Sequence, residues 1–208
     1  ATRNIIGSHT LNNVRFNTSD TTTRIITVSS TTTLTVSSTL TFDNTSTGLI
    51  TVNTGAGTAS GTIEALGDIV IGDTISYDGT ALIVASGTKN QLFNGSAASS
   101  TGGFPFFQIN KTGGTLTLGG TIRTGRNWTY TTGTLDASTS TVVFGDSGCT
   151  SGVCSVITGS HTLNNITFNS NSGSRIWTVS STTTLTVSST LTFDNSSIGG
   201  IAINTGAG

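Results

Sequence analysis

The sequence predicts an all-β fold, a parallel β-solenoid (β-helix), from three observations: an exact internal repeat, a strand-forming composition and apolar alternation that continues across turn residues. The stretch Thr27–Asn44 recurs unchanged at Thr178–Asn195. Around it, Gly7–Gly57 aligns with Gly159–Gly208 when one residue between Asp20 and Arg24 is left unmatched, and 37 of the 50 aligned positions are identical by direct count. Self-similarity at a fixed period indicates an architecture in which each unit stacks on its neighbour.

The repeat also defines the domain organisation. Residues 1–152 form one solenoid repeat that starts in mid-repeat, and residues 153–208 begin the next repeat, continuous with the first. The period is 151 residues, from Thr27 to Thr178. Because Ala1–Ile6 aligns with Val153–Thr158, neither end resembles a polar cap, and we expect the chain to be a segment of a longer repetitive polypeptide.

The composition favours strands and excludes several function classes. Threonine, valine and isoleucine are strand formers, whereas Glu64 is the only glutamate and methionine is absent. One third of the residues are apolar, so a core can form. Only 8% are charged and the net charge is −1, which argues against nucleic acid as a partner. No apolar run is long enough to predict a membrane span.

The repeated stretch alternates in a way that predicts a coil rather than a hairpin. Leu34, Val36, Leu40 and Phe42 share one phase, and Ser37–Ser38 interrupts the pattern. A two-residue hairpin there would place apolar residues opposite threonines and mix both faces. If the chain instead bends at the serines, all four apolar side chains stay on the inner face. This favours successive coils, each being one circuit of the chain around the solenoid axis.

A second signature, apolar-x-apolar-Asn, suggests the number of coils. Asparagine tolerates left-handed turn conformations and can stack in amide ladders, so we interpret these residues as turn or ladder positions. The gaps between the first four of them are close to multiples of 19, which predicts about eight coils (rungs) per repeat, or about six if loops intervene. The asparagines concerned are Asn17, Asn53, Asn110, Asn169 and Asn204.

Two cysteines predict a disulfide bond. Cys149 and Cys154 flank a short segment rich in glycine and serine, so a bond between them closes a small loop. Such a bond implies an oxidising compartment, and hence an extracellular or cell-surface location. Two unpaired thiols are the alternative. A metal site is not predicted, because this pair lacks the other ligands that zinc requires.

No catalytic or cofactor-binding set is recognisable, and we do not predict an enzyme. His9 and His161 are repeat equivalents, so they are interpreted as turn residues that bond the backbone rather than as a dyad. N-linked glycosylation stays open, because the sequon N-x-[ST] is frequent in so Ser/Thr-rich a chain. The sequon asparagines are Asn17, Asn44, Asn94, Asn110, Asn127, Asn165 and Asn195.

The units HTLNN-x-x-FN, KTGGTLTLGGTI and RNWTYTTGTLDASTSTVVF resemble those of very long Thr/Ser/Gly-rich surface or secreted proteins of bacteria. This resemblance implies an extracellular structural or adhesive β-solenoid. We therefore predict a filament segment whose main partner is itself, with glycans as a further partner class and no cofactor. An adhesin stalk is the second hypothesis. A threonine-array ice-binding β-helix is the third, although its T-x-T units, such as Thr33/Thr35, are missing between Gly57 and Thr112.

Overall fold

The chain is an all-β solenoid. A computed structural model describes residues 2–44, 47–52, 61–72, 79–98, 102–145, 149, 152–195 and 199–206. These residues form 21 strands and no helix, and every strand pair between them is parallel. The predicted parallel β-solenoid is therefore confirmed.

The strands follow one another around the solenoid axis in chain order. Those of the first half are β1 (Thr2–Ile5), β2 (His9–Leu11), β3 (Val14–Phe16), β4 (Arg24–Val28), β5 (Thr33–Val36), β6 (Leu40–Phe42), β7 (Ile50–Val52), β8 (Thr62–Ala65), β9 (Ile69–Ile71), β10 (Leu82–Gly87) and β11 (Gln91–Ser96). Those of the second half are β12 (Phe106–Thr124), β13 (Trp128–Asp136), β14 (Thr141–Phe144), β15 (Val153–Thr158), β16 (His161–Leu163), β17 (Asn165–Ser170), β18 (Arg175–Val179), β19 (Leu185–Val187), β20 (Leu191–Asn195) and β21 (Ile201–Thr205).

The serine pair between β5 and β6 is a corner. β5 pairs with β2 and β8, whereas β6 pairs with β3 and β9, so the two strands lie in separate parallel columns and do not pair with each other. Leu34, Val36, Leu40 and Phe42 are all buried, at 0–2% exposure. The alternation therefore continues around the corner on the inner face, as predicted, and the hairpin is excluded.

Register partners show how many coils one repeat contains. Each step from a residue to its register partner in the next strand of the column advances one coil. The steps run from Val14 to Leu40, Ile69, Phe93 and β12, and then from β12 to Val142, Ile166 and Leu191. This path takes about seven coils, and the part from Leu40 to its repeat equivalent Leu191 takes six. The lower end of the predicted six to eight is thus observed.

Most coils are longer than the spacing of the asparagines suggested. The sequence separation of register partners also varies from coil to coil. It is short between Thr115 and Thr134 and much longer between Thr33 and Thr62. The physical reason is that the corners differ in length while the strand pairing stays parallel. In addition, β12 is one continuous strand that includes Gly119–Gly120.

Gly120 shows why glycine is needed inside that long strand. Its φ is +63°, and a Cβ atom there would lie 2.1 Å from the carbonyl oxygen of Gly95 in the preceding coil. Only glycine allows both this conformation and this approach. The strand can therefore change direction without losing its pairing to β11 and β14.

The core contains a continuous column of aromatic rings. Neighbouring rings lie with centroids 4.8–6.2 Å apart, within the range of favourable aromatic pairs. The two tryptophans, Trp128 and Trp177, are fully buried. The column joins Phe16, Phe42, Phe104, Phe93, Phe107, Trp128, Phe144, Phe168 and Phe193.

Parallel strand pairing continues across the boundary between the two repeats. β15, in the second repeat, pairs with β13 in the first, and β17 pairs with β14. The strands on both sides of residue 152 therefore belong to the same sheet.

Candidate assembly interface

The two copies of the repeated stretch differ in whether another coil packs on them. In the first copy, Thr27–Asn44, the next coil lies directly over β5 and β6. That coil is the covering segment, Gly61–Ile71, and its inward side chains are Ile63, Ala65, Ile69 and Ile71. They lie in register over Leu34, Val36, Leu40 and Phe42, respectively.

The covering segment also satisfies the backbone of the first copy. The N–H groups of Thr62, Leu66 and Gly72 donate to the carbonyls of Thr32, Val36 and Phe42 at 3.1, 2.9 and 2.8 Å. In return, the N–H of Leu40 donates to the carbonyl of Asp68 at 2.9 Å. The covering segment therefore shields both the apolar side chains and the bonded peptide groups of β5 and β6 from water.

The second copy, Thr178–Asn195, presents the same residues without a cover. β19 pairs only with β16, and β20 only with β17, among the described strands. Phe193 is 55% exposed and Leu191 is 47% exposed, although their equivalents Phe42 and Leu40 are fully buried. We call the side of β19 and β20 formed by Leu185, Val187, Leu191 and Phe193 the open face.

The open face is concave and apolar. It borders a cavity of about 440 Å³ that reaches the core through Ile166, Phe168 and Ile203. A contiguous exposed apolar patch of this kind is typical of an interaction site. Among the described strands, β19 and β20 each pair on one side only, and the other edge of such a strand is a template for a further parallel strand.

Polar side chains at the corners join one coil to the next, and the repeat preserves them. Ser8 and Asn13 accept hydrogen bonds from the N–H groups of Thr33 and Thr39, both at 3.1 Å. Their equivalents do the same, because Ser160 accepts from Thr184 at 2.9 Å and Asn165 accepts from Thr190 at 3.3 Å. Sequence reasoning missed this role, although the two copies of GSHTLNN carried the signal.

The predicted turn or ladder asparagines occupy several environments. Asn17 donates to the carbonyl of Asp43 at 2.6 Å, and the buried Asn169 donates to the carboxylate of Asp194 at 2.9 Å. Asn110 and Asn204 lie within strands, in register with Ser86 and Thr178. Asn53 lies outside the described residues. The register therefore brings none of the four described asparagines opposite another.

Two buried cations were not foreseen as core residues. Lys111 is 1% exposed, and its Nζ donates to Gln91 at 2.6 Å and to the carbonyl of Ser86 at 3.3 Å. Burial lowers the pKa of the Lys111 amine below its ordinary value. Arg123 is 3% exposed and donates to Asn169 at 3.1 Å and to the carbonyl of Gly102 at 3.2 Å.

Each histidine bonds a nearby backbone carbonyl, as predicted. In His9 the ring nitrogen Nε2 lies 3.0 Å from the carbonyl oxygen of Ile6, at the surface. In His161 the Nδ1 lies 2.6 Å from the carbonyl oxygen of Gly159, and the ring stacks on Tyr130 at 5.5 Å. Burial lowers the pKa of His161, and the hydrogen bond to Gly159 partly offsets this effect. The two rings belong to coils a full repeat apart.

The predicted disulfide is confirmed. Cys149 and Cys154 are bonded, with their Cα atoms 4.1 Å apart, and both residues are half-buried. Cys154 lies in β15, so the bond attaches the preceding segment to a strand of the solenoid.

The sequon asparagines differ in accessibility. Asn17 and Asn195 are exposed, whereas Asn44 is buried, accepts from the N–H of Thr18 at 3.3 Å and donates to the carbonyl of Gly48. The amide nitrogen of Asn44 therefore has no room for a sugar in this fold. The remaining four are half-buried: Asn94, Asn110, Asn127 and Asn165.

Comparison with protein-family models, curated proteins and solved structures finds no match to this chain. Within the described ranges there is no group of three or more His, Cys, Asp or Glu side chains that could hold a metal ion. A search of the same residues for a helix long and apolar enough to cross a membrane also finds none.

Proposed function

We propose that this chain is a structural segment of an extracellular β-solenoid filament that lengthens through tandem, near-identical repeats. One observation carries the proposal. The repeated stretch forms the same coil in both repeats, covered by a further coil in the first and open to a further coil in the second. A structure with this property can be extended by repeating its sequence.

The charge distribution supports an extended stack. Only 8% of the residues are charged and the net charge is −1, so stacked repeats accumulate little repulsion. The exposed ion pair between Arg15 and Asp43, at 2.6 Å, links neighbouring coils. An exposed ion pair of this kind contributes little to stability.

The disulfide supports the extracellular part of the proposal. Disulfides persist in oxidising compartments and are rare in the cytosol. The bond between Cys149 and Cys154 therefore fits a secreted or surface-attached chain. An adhesin stalk would have the same coils and would differ from a free filament in what its ends carry.

The outer threonines give the ice-binding alternative little support. Such a surface needs threonine at one outer position of every successive coil. In the row that contains Thr10 and Thr35, the following residues are Glu64, Val84 and Gln108. The row is therefore not a flat threonine array.

The test is to express polypeptides with one, two and three tandem copies of the full repeat and to measure particle length by electron microscopy. Six coils per repeat, at about 4.8 Å per coil, give about 29 Å of added length for each repeat. Unbranched rods that lengthen by this increment support the filament. Particles whose length does not grow with repeat number contradict it, and inhibition of ice growth by the same samples would favour the alternative.

A further inference from the structure

The open face has a known complement within the same chain. Because the first and second copies are identical in sequence, the covering segment Gly61–Ile71 fits a surface with the same side chains as the open face. In that contact Ile63, Ala65 and Ile69 are fully buried. The contact thus gives both the chemistry and the register of a coil that would fit the open face.

We infer that the open face is a docking site for one further coil with the sequence of the covering segment, joined in repeat order after Gly208. This inference rests on the proposed function and specifies how one repeat joins the next. The isoleucine corresponding to Ile63 lies over Leu185, and the alanine corresponding to Ala65 lies over Val187. The isoleucines corresponding to Ile69 and Ile71 lie over Leu191 and Phe193.

Hydrogen-bonding groups of the open face match this occupant. The Thr35 hydroxyl donates to the carboxylate of Glu64 at 3.3 Å, and the N–H of Leu40 donates to the carbonyl of Asp68. The second copy offers the same donors at Thr186 and Leu191. A coil with the covering sequence therefore satisfies polar groups as well as apolar ones.

The position of β21 selects this occupant over a second copy of the present chain. β21 pairs with β18 and so already fills the first place of the next coil, as β7 does over β4. If β2 and β3 of a second copy covered β19 and β20, its β1 would need the place that β21 occupies. If its β1 instead paired with β21, its β2 and β3 would lie one coil too far away to reach the open face.

The experiment appends residues copied from Thr58–Gly72 after Gly208, which is the repeat equivalent of Gly57. The readout is amide hydrogen exchange of β19 and β20 in the extended and the original protein. We expect exchange there to slow by about tenfold or more, because the amides pass from a frayed edge to a paired interior. The matched control has the same composition with the alternation moved by one residue: Thr-Ile-Glu-Ala becomes Ile-Thr-Ala-Glu, and Asp-Ile-Val-Ile becomes Ile-Asp-Ile-Val. It turns the three isoleucines and the alanine outward and leaves a valine as the single apolar residue at an inward position.

Protection by the repeat-order extension but not by the control supports the inference. Equal exchange in all three proteins overturns it. Protection of the original protein that increases with concentration also overturns it, because a second copy would then occupy the open face. The docking of one added coil can be tested separately from filament formation, since a single coil can dock even if long rods do not form.

Discussion

The two copies of the repeated stretch show how little of a residue's environment is encoded by its own segment. Phe42 and Phe193 have identical sequence neighbours, yet the first is fully buried and the second is 55% exposed. The difference comes from the coil above, which is Gly61–Ile71 for Phe42 and is not present among the described residues for Phe193. In a solenoid the stabilising contacts are those between neighbouring coils, so stability depends on the neighbour as much as on the coil.

The strands β1 and β4 of the first repeat differ in sequence from their equivalents β15 and β18 in the second. Ile26 and Arg3 in the first repeat correspond to Trp177 and Ser155 in the second. Trp177 is fully buried and packs on Phe168 at 5.5 Å, while Ser155 is 2% exposed. The pairing of β15 with β18 shifts register between Val153 and Val156, whereas β1 pairs with β4 without a shift. The exchange of side chains is therefore accompanied by a local irregularity of the sheet.

The largest effect is expected from truncating the buried phenylalanine. Phe42→Ala removes a ring that contacts Phe16 and Phe104 at 5.2 and 5.4 Å and leaves a cavity in a closed coil. We expect a loss of about 3–5 kcal/mol in the free energy of unfolding. Phe193→Ala is the matched control and should cost about 1 kcal/mol or less, since more than half of its surface is already in water.

Guanidinium denaturation followed by far-ultraviolet circular dichroism measures both losses. Similar losses for Phe42→Ala and Phe193→Ala would mean that the open face is covered in solution, and the contrast between the copies would fail. In the chain extended by one coil in repeat order, the cost of Phe193→Ala should rise toward that of Phe42→Ala. The same pair of variants therefore also tests whether an added coil gives Phe193 the buried environment of Phe42.

An intermediate effect is expected from the equivalent asparagines. Asn169 is 1% exposed and lies between the Arg123 guanidinium and the Asp194 carboxylate, whereas Asn17 is exposed and its amide donates to the carbonyl of Asp43. Asn169→Ala removes a partner from two charged groups and should cost about 1–3 kcal/mol in unfolding free energy. Asn17→Ala should cost about 0.5–1 kcal/mol. The same denaturation experiment decides, and an equal cost for both variants would show that burial of Asn169 is unimportant.

The features that the sequence predicted are local ones. Alternation across Ser37–Ser38 can be read within the short stretch from Leu34 to Phe42, because the inner face of a strand depends only on its own phase. The disulfide could likewise be predicted from two cysteines five positions apart. Burial of Lys111 was missed, although Lys111 shares its phase with the buried Phe107 and Ile109. The alternation from Phe107 to Lys111 therefore could have predicted that the Lys111 side chain points into the core.

The features that the sequence could not predict depend on contacts between coils. Arg123 and Asn169 are 46 residues apart and meet only because three successive coils, those of β12, β14 and β17, stack in a particular register. The predicted coil length was wrong because it was inferred from asparagines that do not mark equivalent places. Asn110 and Asn204 lie inside strands, while Asn17 follows one. Corner length, which sets the coil length, has no periodic signal.

The smallest expected effect is on the pH dependence of the unfolding free energy, which should change when His161 is substituted. Burial lowers the pKa of His161 in the folded state, so the unfolded chain, with an ordinary pKa of about 6.5, binds a proton at a higher pH than the folded chain does. Stability from this residue is therefore fully present above about pH 6.5 and is lost as the pH falls below it, by at most about 1.4 kcal/mol per pH unit. His161→Gln should reduce the loss of unfolding free energy between pH 7 and pH 5, whereas the repeat-equivalent variant His9→Gln should retain it. Denaturation curves of both variants across this range provide the measurement, and an unchanged slope in His161→Gln would show that another group carries the pH dependence.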